Sequence, residues 1–229
     1  MDTLIERLPE FLLFYSVLLF SLSFHEAAHA ISAKWGGDHT AAYQGRVTMN
    51  PLAHIDPIGT VLMPMLMFFS GIPFLIGWAK PVPVQDLNFR RSNWGMIVAL
   101  AGPFSNVILA FCGAFAVLLF SVAAGFGLVP AGSKAGAVVM QGLEIFILMN
   151  CALAAFNMLP VPPLDGSHVL WHTVVKHRPS LYPLFDTLQQ FGFFILMALL
   201  ALTPLKALLW VVIQLMRRAA LSLTSLGIA

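Results

Sequence analysis

Two histidines and a glutamate stand close together in an apolar stretch near the start of the chain. They form the pattern His25-Glu26-Ala-Ala-His29, or H-E-x-x-H. Residues four apart on an α-helix face the same way, so the two imidazoles can bind one metal ion, for which Zn²⁺ is the usual choice. Glu26 would then lie beside the ion and could accept a proton from water. The pattern predicts a zinc-dependent hydrolase, and the alternative is a pair of interface histidines with an incidental glutamate.

A catalytic zinc site needs a third protein ligand and an open position. Asp165 is the strongest candidate, because it follows the proline-rich segment 157–164, which interrupts an apolar helix. Irregular backbone at membrane depth is tolerated only where it is buried in protein or lines a cavity. His168 and His172 follow Asp165 at helical spacing and form a second candidate ligand face. Further histidines and carboxylates are His39, His54, His177, Asp56, Glu144 and Asp186.

The composition is that of an integral membrane protein. Of the 229 residues, 59% are hydrophobic and only 10% are charged, whereas soluble domains carry roughly 25% charged residues. The mean hydropathy is +0.86. The net charge of +2 is too small to suggest a nucleic-acid partner, and Cys112 and Cys151 both fall in predicted membrane helices, where they are expected to be packing residues. We therefore expect a lipid bilayer around the protein and no nucleic acid.

Hydropathy and helix-breaking residues divide the chain into a series of predicted elements. The apolar runs are 11–33, 58–78, 94–130, 135–159, 181–202 and 204–216, and 164–176 reads as a helix that leaves the membrane. Residues 40–48 suggest a short interfacial β-hairpin. These elements predict an all-α polytopic membrane protein forming a single domain over residues 1–229. Its catalytic core would cover about 11–176 and its C-terminal membrane helices about 180–218.

The order of these motifs resembles the site-2 protease family of intramembrane metalloproteases. H-E-x-x-H in a membrane helix is followed by Asn157-x-x-Pro-x-x-Pro-Leu-Asp165-Gly, and Ala-Gly-Pro-Phe-Ser-Asn106 matches a third family element. Residues 50–57 and 77–84 resemble features of the compact bacterial and archaeal members that lack a PDZ domain. The resemblance implies a three-helix core that cleaves transmembrane segments of other membrane proteins.

The resemblance also implies roles for individual residues. His25, His29 and Asp165 would bind one zinc ion, and Glu26 would be the general base. Asn157 would help to hold substrate or the oxyanion. Asn106 is a weaker candidate for a similar polar role, and His54 is a candidate for lining the way into the site, with a loop histidine packed against Asp56 as the alternative.

The predicted ligands constrain the topology. His29 and Asp165 must lie on the same side of the membrane to share a metal, so residues 58–78 must enter and leave on one side. We predict a re-entrant element there, helical to about Phe69 and extended on its return through Gly77. The basic residues on the site side are then Lys34, Arg46, Lys80, Arg90, Arg91, Lys176, Arg178, Arg217 and Arg218, against Arg7, Lys134 and Lys206 opposite. The positive-inside rule places the site near the cytoplasmic side, and the resemblance to compact bacterial and archaeal members implies the inner membrane of a prokaryotic cell.

Residues 77–84 are predicted to run in an extended conformation close to the zinc. A protease must unwind a transmembrane helix before cleaving it, and an edge strand can hold the unwound chain by β-augmentation. The segment is therefore either a substrate clamp or a rigid proline linker. Two other functions stay open, a membrane metal-ion transporter and an inactive relative that binds membrane proteins. The sequence does not indicate an oligomeric state.

Overall fold

A computed structural model describes residues 4–70, 77–129 and 132–225 of the chain. Its α-helices are α1 (Leu4–Gly36), α2 (Thr40–Tyr43), α3 (Met63–Ser70), α4 (Trp94–Gly125), α5 (Lys134–Asn157), α6 (Asp165–Thr173), α7 (Tyr182–Leu202) and α8 (Leu205–Ser225). Short 3₁₀ turns lie at Pro51–Ala53, Asp86–Asn88, Val175–His177 and Pro179–Leu181, and a π-helical turn at Pro57–Leu62 leads into α3.

Four helical stretches of the described chain are long and apolar enough to cross a membrane. They are Glu6–Gly36, Trp94–Gly125, Lys134–Asn157 and Pro179–Leu202. These stretches correspond to four of the predicted apolar runs, so the prediction of an all-α polytopic membrane protein is confirmed.

Three of these helices pack together and carry most of the site. α4 packs along both α1 and α5, and α1 also contacts α5. Leu18 and Leu22 of α1 are buried with Met149 of α5. α8 covers α4 and α5, while α6 packs on α4, which brings the first residue of α6, Asp165, to the helices that bear the motif.

The end of α1 has a clear local cause. Gly37 adopts a left-handed conformation with φ of 106°, which glycine reaches without steric cost. This turn lets the Asp38 N–H donate to the Ala33 carbonyl at 3.0 Å. α1 therefore continues three residues past the predicted end at Ala33, and the chain leaves the membrane-spanning helix at a fixed angle.

The predicted β-hairpin at residues 40–48 is wrong at its start, where the structure has the helical turn α2, and the described residues contain no strand. The physical reason is the carboxylate of Asp38, which accepts hydrogen bonds from both the N–H and the hydroxyl of Thr40 and begins the turn. Further bonds from Gln85 and Asn88 reach the same carboxylate. Burial acts to raise the pKa of Asp38, but these hydrogen bonds outweigh it and hold the pKa below its usual value.

The Pro57–Leu62 turn and the extended segment 77–84 lie beside each other. The helix ends at Ser70, close to the predicted Phe69, and residues 71–76 of the predicted element lie outside the described residues. The extended chain that follows is bonded back to the first turn, because Trp78 N–H donates to Gly59 O at 3.2 Å and the Thr60 hydroxyl donates to Trp78 O at 2.8 Å. These bonds fix the extended segment 77–84 against the Pro57–Leu62 turn.

Candidate metal centre

Two helices bring the three predicted ligands together. His25 and His29 lie one turn apart on α1, with their Nε2 atoms 3.1 Å from each other. Asp165 faces them, with Oδ2 3.0 Å from His25 Nε2 and Oδ1 3.3 Å from His29 Nε2. Among the described residues, this is the one cluster of at least three histidine, cysteine or carboxylate side chains that is tight enough to hold a metal ion. The predicted ligand set is therefore assembled in space.

The ring hydrogens of both histidines point away from this cluster. His29 Nδ1 lies 2.7 Å from the carbonyl oxygen of Val98, which can only accept, so Nδ1 carries the hydrogen. His25 Nδ1 lies 2.6 Å from Asn106 Oδ1. In the neutral rings both Nε2 atoms therefore present lone pairs towards Asp165.

The Asp165 carboxylate and the two Nε2 atoms face one another with lone pairs. None of the three groups carries a hydrogen that points into the cluster. Asp165 Oδ2 is buried and accepts no hydrogen bond of good geometry. Two imidazole lone pairs and a carboxylate at this spacing need a cation, and two nitrogens with one oxygen suit Zn²⁺.

Gly102 of α4 keeps the space beside the ligands open. A Cβ atom at this position would lie 2.3 Å from His29 Nε2 and 2.6 Å from His25 Nε2. No side chain other than hydrogen leaves both nitrogens accessible. The donor set and this gap both fit a bound metal ion.

Glu26 lies next to the ligands and is held from the opposite wall. Its side chain is largely buried, and Oε2 accepts a hydrogen bond from the Val82 N–H at 3.0 Å. Val82 is flanked by Pro81 and Pro83, so its amide is the one N–H that these three residues possess. The extended segment 77–84 therefore touches the predicted general base directly.

A cavity of about 1090 Å³ surrounds these groups. Its walls come from α1, α4, the end of α5, the 77–84 segment, the proline-rich turn before Asp165, α6 and α7. Asn157 lines it, with the side-chain amide donating to Leu153 O at 3.0 Å. His168 and His172 line it as well. His172 Nε2 lies 3.3 Å from Asp86, so this histidine is paired with a loop carboxylate. Of the three residues in the D-x-x-H-x-x-x-H pattern, Asp165 is the one that contacts the α1 histidines.

Two predicted site residues take other positions. Asn106 is fully buried behind His25 rather than lining the cavity. His54 is also buried away from the cavity wall, with Nε2 bonded to Thr48 O at 2.8 Å and its own carbonyl accepting from Lys80 N–H at 2.9 Å. His54 therefore supports the extended segment from behind.

Sequence reasoning missed Asn150, Gly102 and Val82. Asn150 of α5 is fully buried and bonds to Asn106. A signal for it exists, because an amide in the middle of an apolar membrane helix is costly without a partner or a task. Gly102 and Val82 carry no comparable signal, since their contributions depend on which atoms face them in space.

Relatives named as zinc metalloproteases align with much of this chain. YwhC of Bacillus subtilis (strain 168) is 37% identical over 210 residues, which is 91% of this chain and 89% of YwhC. Rip2 of Mycolicibacterium smegmatis is 31% identical over 195 residues, 85% of this chain and 68% of Rip2. A relative from Methanocaldococcus jannaschii is 39% identical over 174 residues, 70% of this chain and 75% of its own length.

The sequence profile of peptidase family M50 matches residues 123–199, which include Asn157 and Asp165. No solved structure matches this chain. The aligned relatives extend the match over most of the chain. The chain thus belongs to peptidase family M50, the site-2 protease family, and is a zinc metalloprotease.

Proposed function

We propose that this zinc metalloprotease hydrolyses peptide bonds within or next to transmembrane segments of membrane-protein substrates, as in regulated intramembrane proteolysis. The observation that carries the proposal is the position of the ligands in α1. His29 lies seven residues before the end of a helix long and apolar enough to cross the membrane, or about 10 Å along its axis. A substrate reaching this cavity from the bilayer would present its own transmembrane segment to the site.

His25, His29 and Asp165 would hold one zinc ion per chain, with Glu26 as general base. When bound, Zn²⁺ supplies a Lewis acid that polarises the scissile carbonyl and makes water a stronger acid. Glu26 takes the proton of the attacking water on a carboxylate oxygen and delivers it to the leaving amine. Asn157, on the cavity wall, is placed to donate its amide to the substrate or the oxyanion once its bond to Leu153 O opens. The Asn106 side chain is hydrogen-bonded to His25 and Asn150, and its role is to position His25.

In this proposal the site lies near the cytoplasmic side of a prokaryotic inner membrane, and residues 58–78 form a re-entrant element. Support for the element comes from the hydrogen bond between Trp78 and Gly59, which returns the extended chain to the level at which the helix began. Support for the orientation comes from the nine basic residues on the site side against three opposite.

The extended segment 77–84 acts as the substrate clamp. The N–H groups of Trp78, Lys80 and Val82 all bond within the chain, to Gly59, His54 and Glu26. In an extended chain alternate residues point to opposite edges, so the other edge belongs to Ala79, Pro81 and Pro83. The two prolines have no N–H, so that edge presents carbonyl acceptors, of which the Pro81 carbonyl also accepts from Arg46. Carbonyl acceptors suit an unwound substrate that offers N–H donors.

Removing the arginine that holds this clamp should weaken substrate binding more than zinc binding. Arg46 is buried and its Nη2 donates to the carbonyls of Lys80 and Pro81. The loss of this charged donor in R46A should weaken substrate binding by about 1 kcal/mol, which raises KM roughly fivefold. Zinc content should be unchanged. Steady-state cleavage kinetics measure the split between KM and kcat. The control is R91A, which removes an exposed arginine of a loop. A wild-type KM in R46A would contradict the clamp and favour the rigid-linker interpretation of residues 77–84.

The function is tested with the full chain reconstituted in liposomes together with a single-span membrane protein. We expect zinc-dependent cleavage, lost on treatment with a chelator and restored by Zn²⁺, with mass spectrometry placing the cut within or beside the span. A soluble peptide of the same span sequence serves as comparison. Cleavage confined to soluble peptides would contradict the intramembrane proposal, and zinc uptake into the liposomes without proteolysis would contradict it altogether.

A further inference from the structure

A chain of buried amides connects α5 to the metal ligand His25. Asn106 Oδ1 accepts from His25 Nδ1 at 2.6 Å, and Asn106 Nδ2 donates to Asn150 Oδ1 at 2.9 Å. Asn150 Nδ2 in turn donates to Phe146 O at 2.9 Å and to the hydroxyl of Ser21 at 3.0 Å. Asn106, Asn150 and Ser21 are all 0% exposed. We infer that Asn150 is a positioning residue that sets which nitrogen of His25 is free to bind metal.

The direction of this chain is fixed at its far end. The Phe146 carbonyl has no hydrogen to give, so it can only accept, and the Asn150 side chain must turn its NH₂ group towards it. That leaves Asn150 Oδ1 facing Asn106. Because Asn150 Oδ1 can only accept, the NH₂ group of Asn106 must face it. The same NH₂ group also lies 3.5 Å from the Ser21 carbonyl oxygen. The Asn106 oxygen is therefore the atom left for His25.

The orientation of Asn106 decides the tautomer of His25. With its oxygen towards Nδ1, the ring hydrogen sits on Nδ1 and the lone pair of Nε2 faces His29 and Asp165. If Asn106 turned over, its NH₂ group would meet Nδ1 and the hydrogen would move to Nε2, which lies 3.0 Å from Asp165 Oδ2. That arrangement makes a hydrogen bond in place of a metal bond. Partners behind a metal-binding histidine typically change metal affinity roughly 10–100-fold when removed.

Asn150 is needed for this choice because, without it, the NH₂ group of Asn106 would keep only its long contact with the Ser21 carbonyl at 3.5 Å, which fixes the orientation weakly. A carboxylate at position 106 would have no such ambiguity, since both of its oxygens accept. The positioning role therefore makes a specific prediction about a pair of substitutions. Asn150 should become dispensable once residue 106 can only accept, whereas a purely packing role for Asn150 would be unaffected by the change at residue 106.

This inference rests on the proposed zinc site, and the test separates the two. The zinc affinity of the purified full chain in detergent is measured by competition with a chromophoric chelator, and folding is followed by thermal unfolding of the metal-free protein. We expect N150L to lose affinity roughly 10–100-fold and the N106D/N150L double variant to regain most of it. The matched control is C151A, which trims the neighbouring buried residue in an apolar cluster of the same helix and should bind zinc like the wild type.

Wild-type affinity in N150L would overturn the inference, as would a double variant that binds no better than N150L. If N150L does not fold, N150D serves instead. Its carboxyl oxygen still accepts from Asn106, so zinc affinity near that of the wild type is expected, and a loss comparable to that of the ligand variant H25A would overturn the inference. A wild-type chain that binds zinc no better than H25A would contradict the zinc site itself, an outcome separate from any result at Asn150.

Discussion

Glu26→Gln should abolish measurable cleavage while leaving zinc bound. Glutamine has the shape of glutamate, and its amide oxygen can still accept the hydrogen bond from Val82 N–H that Oε2 accepts at 3.0 Å. What it lacks is the ability to take a proton from water and pass it to the leaving amine. General acid–base catalysis of this kind contributes about 10²–10⁴-fold to a rate. We expect kcat to fall within that range or below detection, with zinc content equal to that of the wild type.

Single-turnover cleavage of a reconstituted single-span substrate, together with metal analysis of the same preparation, measures both quantities. H25A is the comparison, since it should lose zinc and activity together because one of the three ligands is gone. Cleavage by E26Q at the wild-type rate would show that another group accepts the proton. Loss of zinc from E26Q would instead show that Glu26 helps to hold the metal.

The cluster of candidate ligands could be predicted from the sequence because its chemistry is strongly constrained. Two histidines four apart define a helix face, and a carboxylate at the break of another apolar helix is one of few groups that can share their metal. The structure joins these three side chains within hydrogen-bonding distance. The membrane helices could also be predicted from the sequence, because a bilayer requires long apolar runs whose backbone hydrogen bonds are made within the segment.

The interfacial part of the chain was harder, because local side-chain bonds decide its conformation. Residues 40–48 have a sequence compatible with a strand, yet one carboxylate, that of Asp38, accepts hydrogen bonds from Thr40 at the start of a helical turn. His54 is a candidate for the way into the site, with a loop histidine as the alternative, and its buried ring bonds to the backbone of its own loop. The Asp38 carboxylate also accepts a hydrogen bond from Asn88, fifty residues away, and the sequence gives no sign of that contact.

Gly102→Ala should weaken zinc binding without unfolding the protein, and the sequence alone gives no reason to expect it. The added Cβ would lie 2.3 Å from His29 Nε2 and 2.6 Å from His25 Nε2, so the ligands must move apart or lose the ion. Overpacking of this kind costs about 1–3 kcal/mol, which corresponds to roughly 10–100-fold in zinc affinity. Alanine is a better helix former than glycine by about 1 kcal/mol, so α4 itself should not be weakened.

The matched control lies in the same helix. A Cβ at Gly125, the last residue of α4, would meet nothing within 4 Å, so G125A should bind zinc and cleave substrate like the wild type. Zinc affinity by chelator competition, with thermal unfolding of the metal-free protein as the check on folding, distinguishes the two variants. Wild-type zinc affinity in G102A would mean that the metal does not lie between the His25 and His29 Nε2 atoms. If G102A unfolds at a lower temperature than G125A, the loss of zinc affinity would be explained by disturbed packing of α4 on α1 instead.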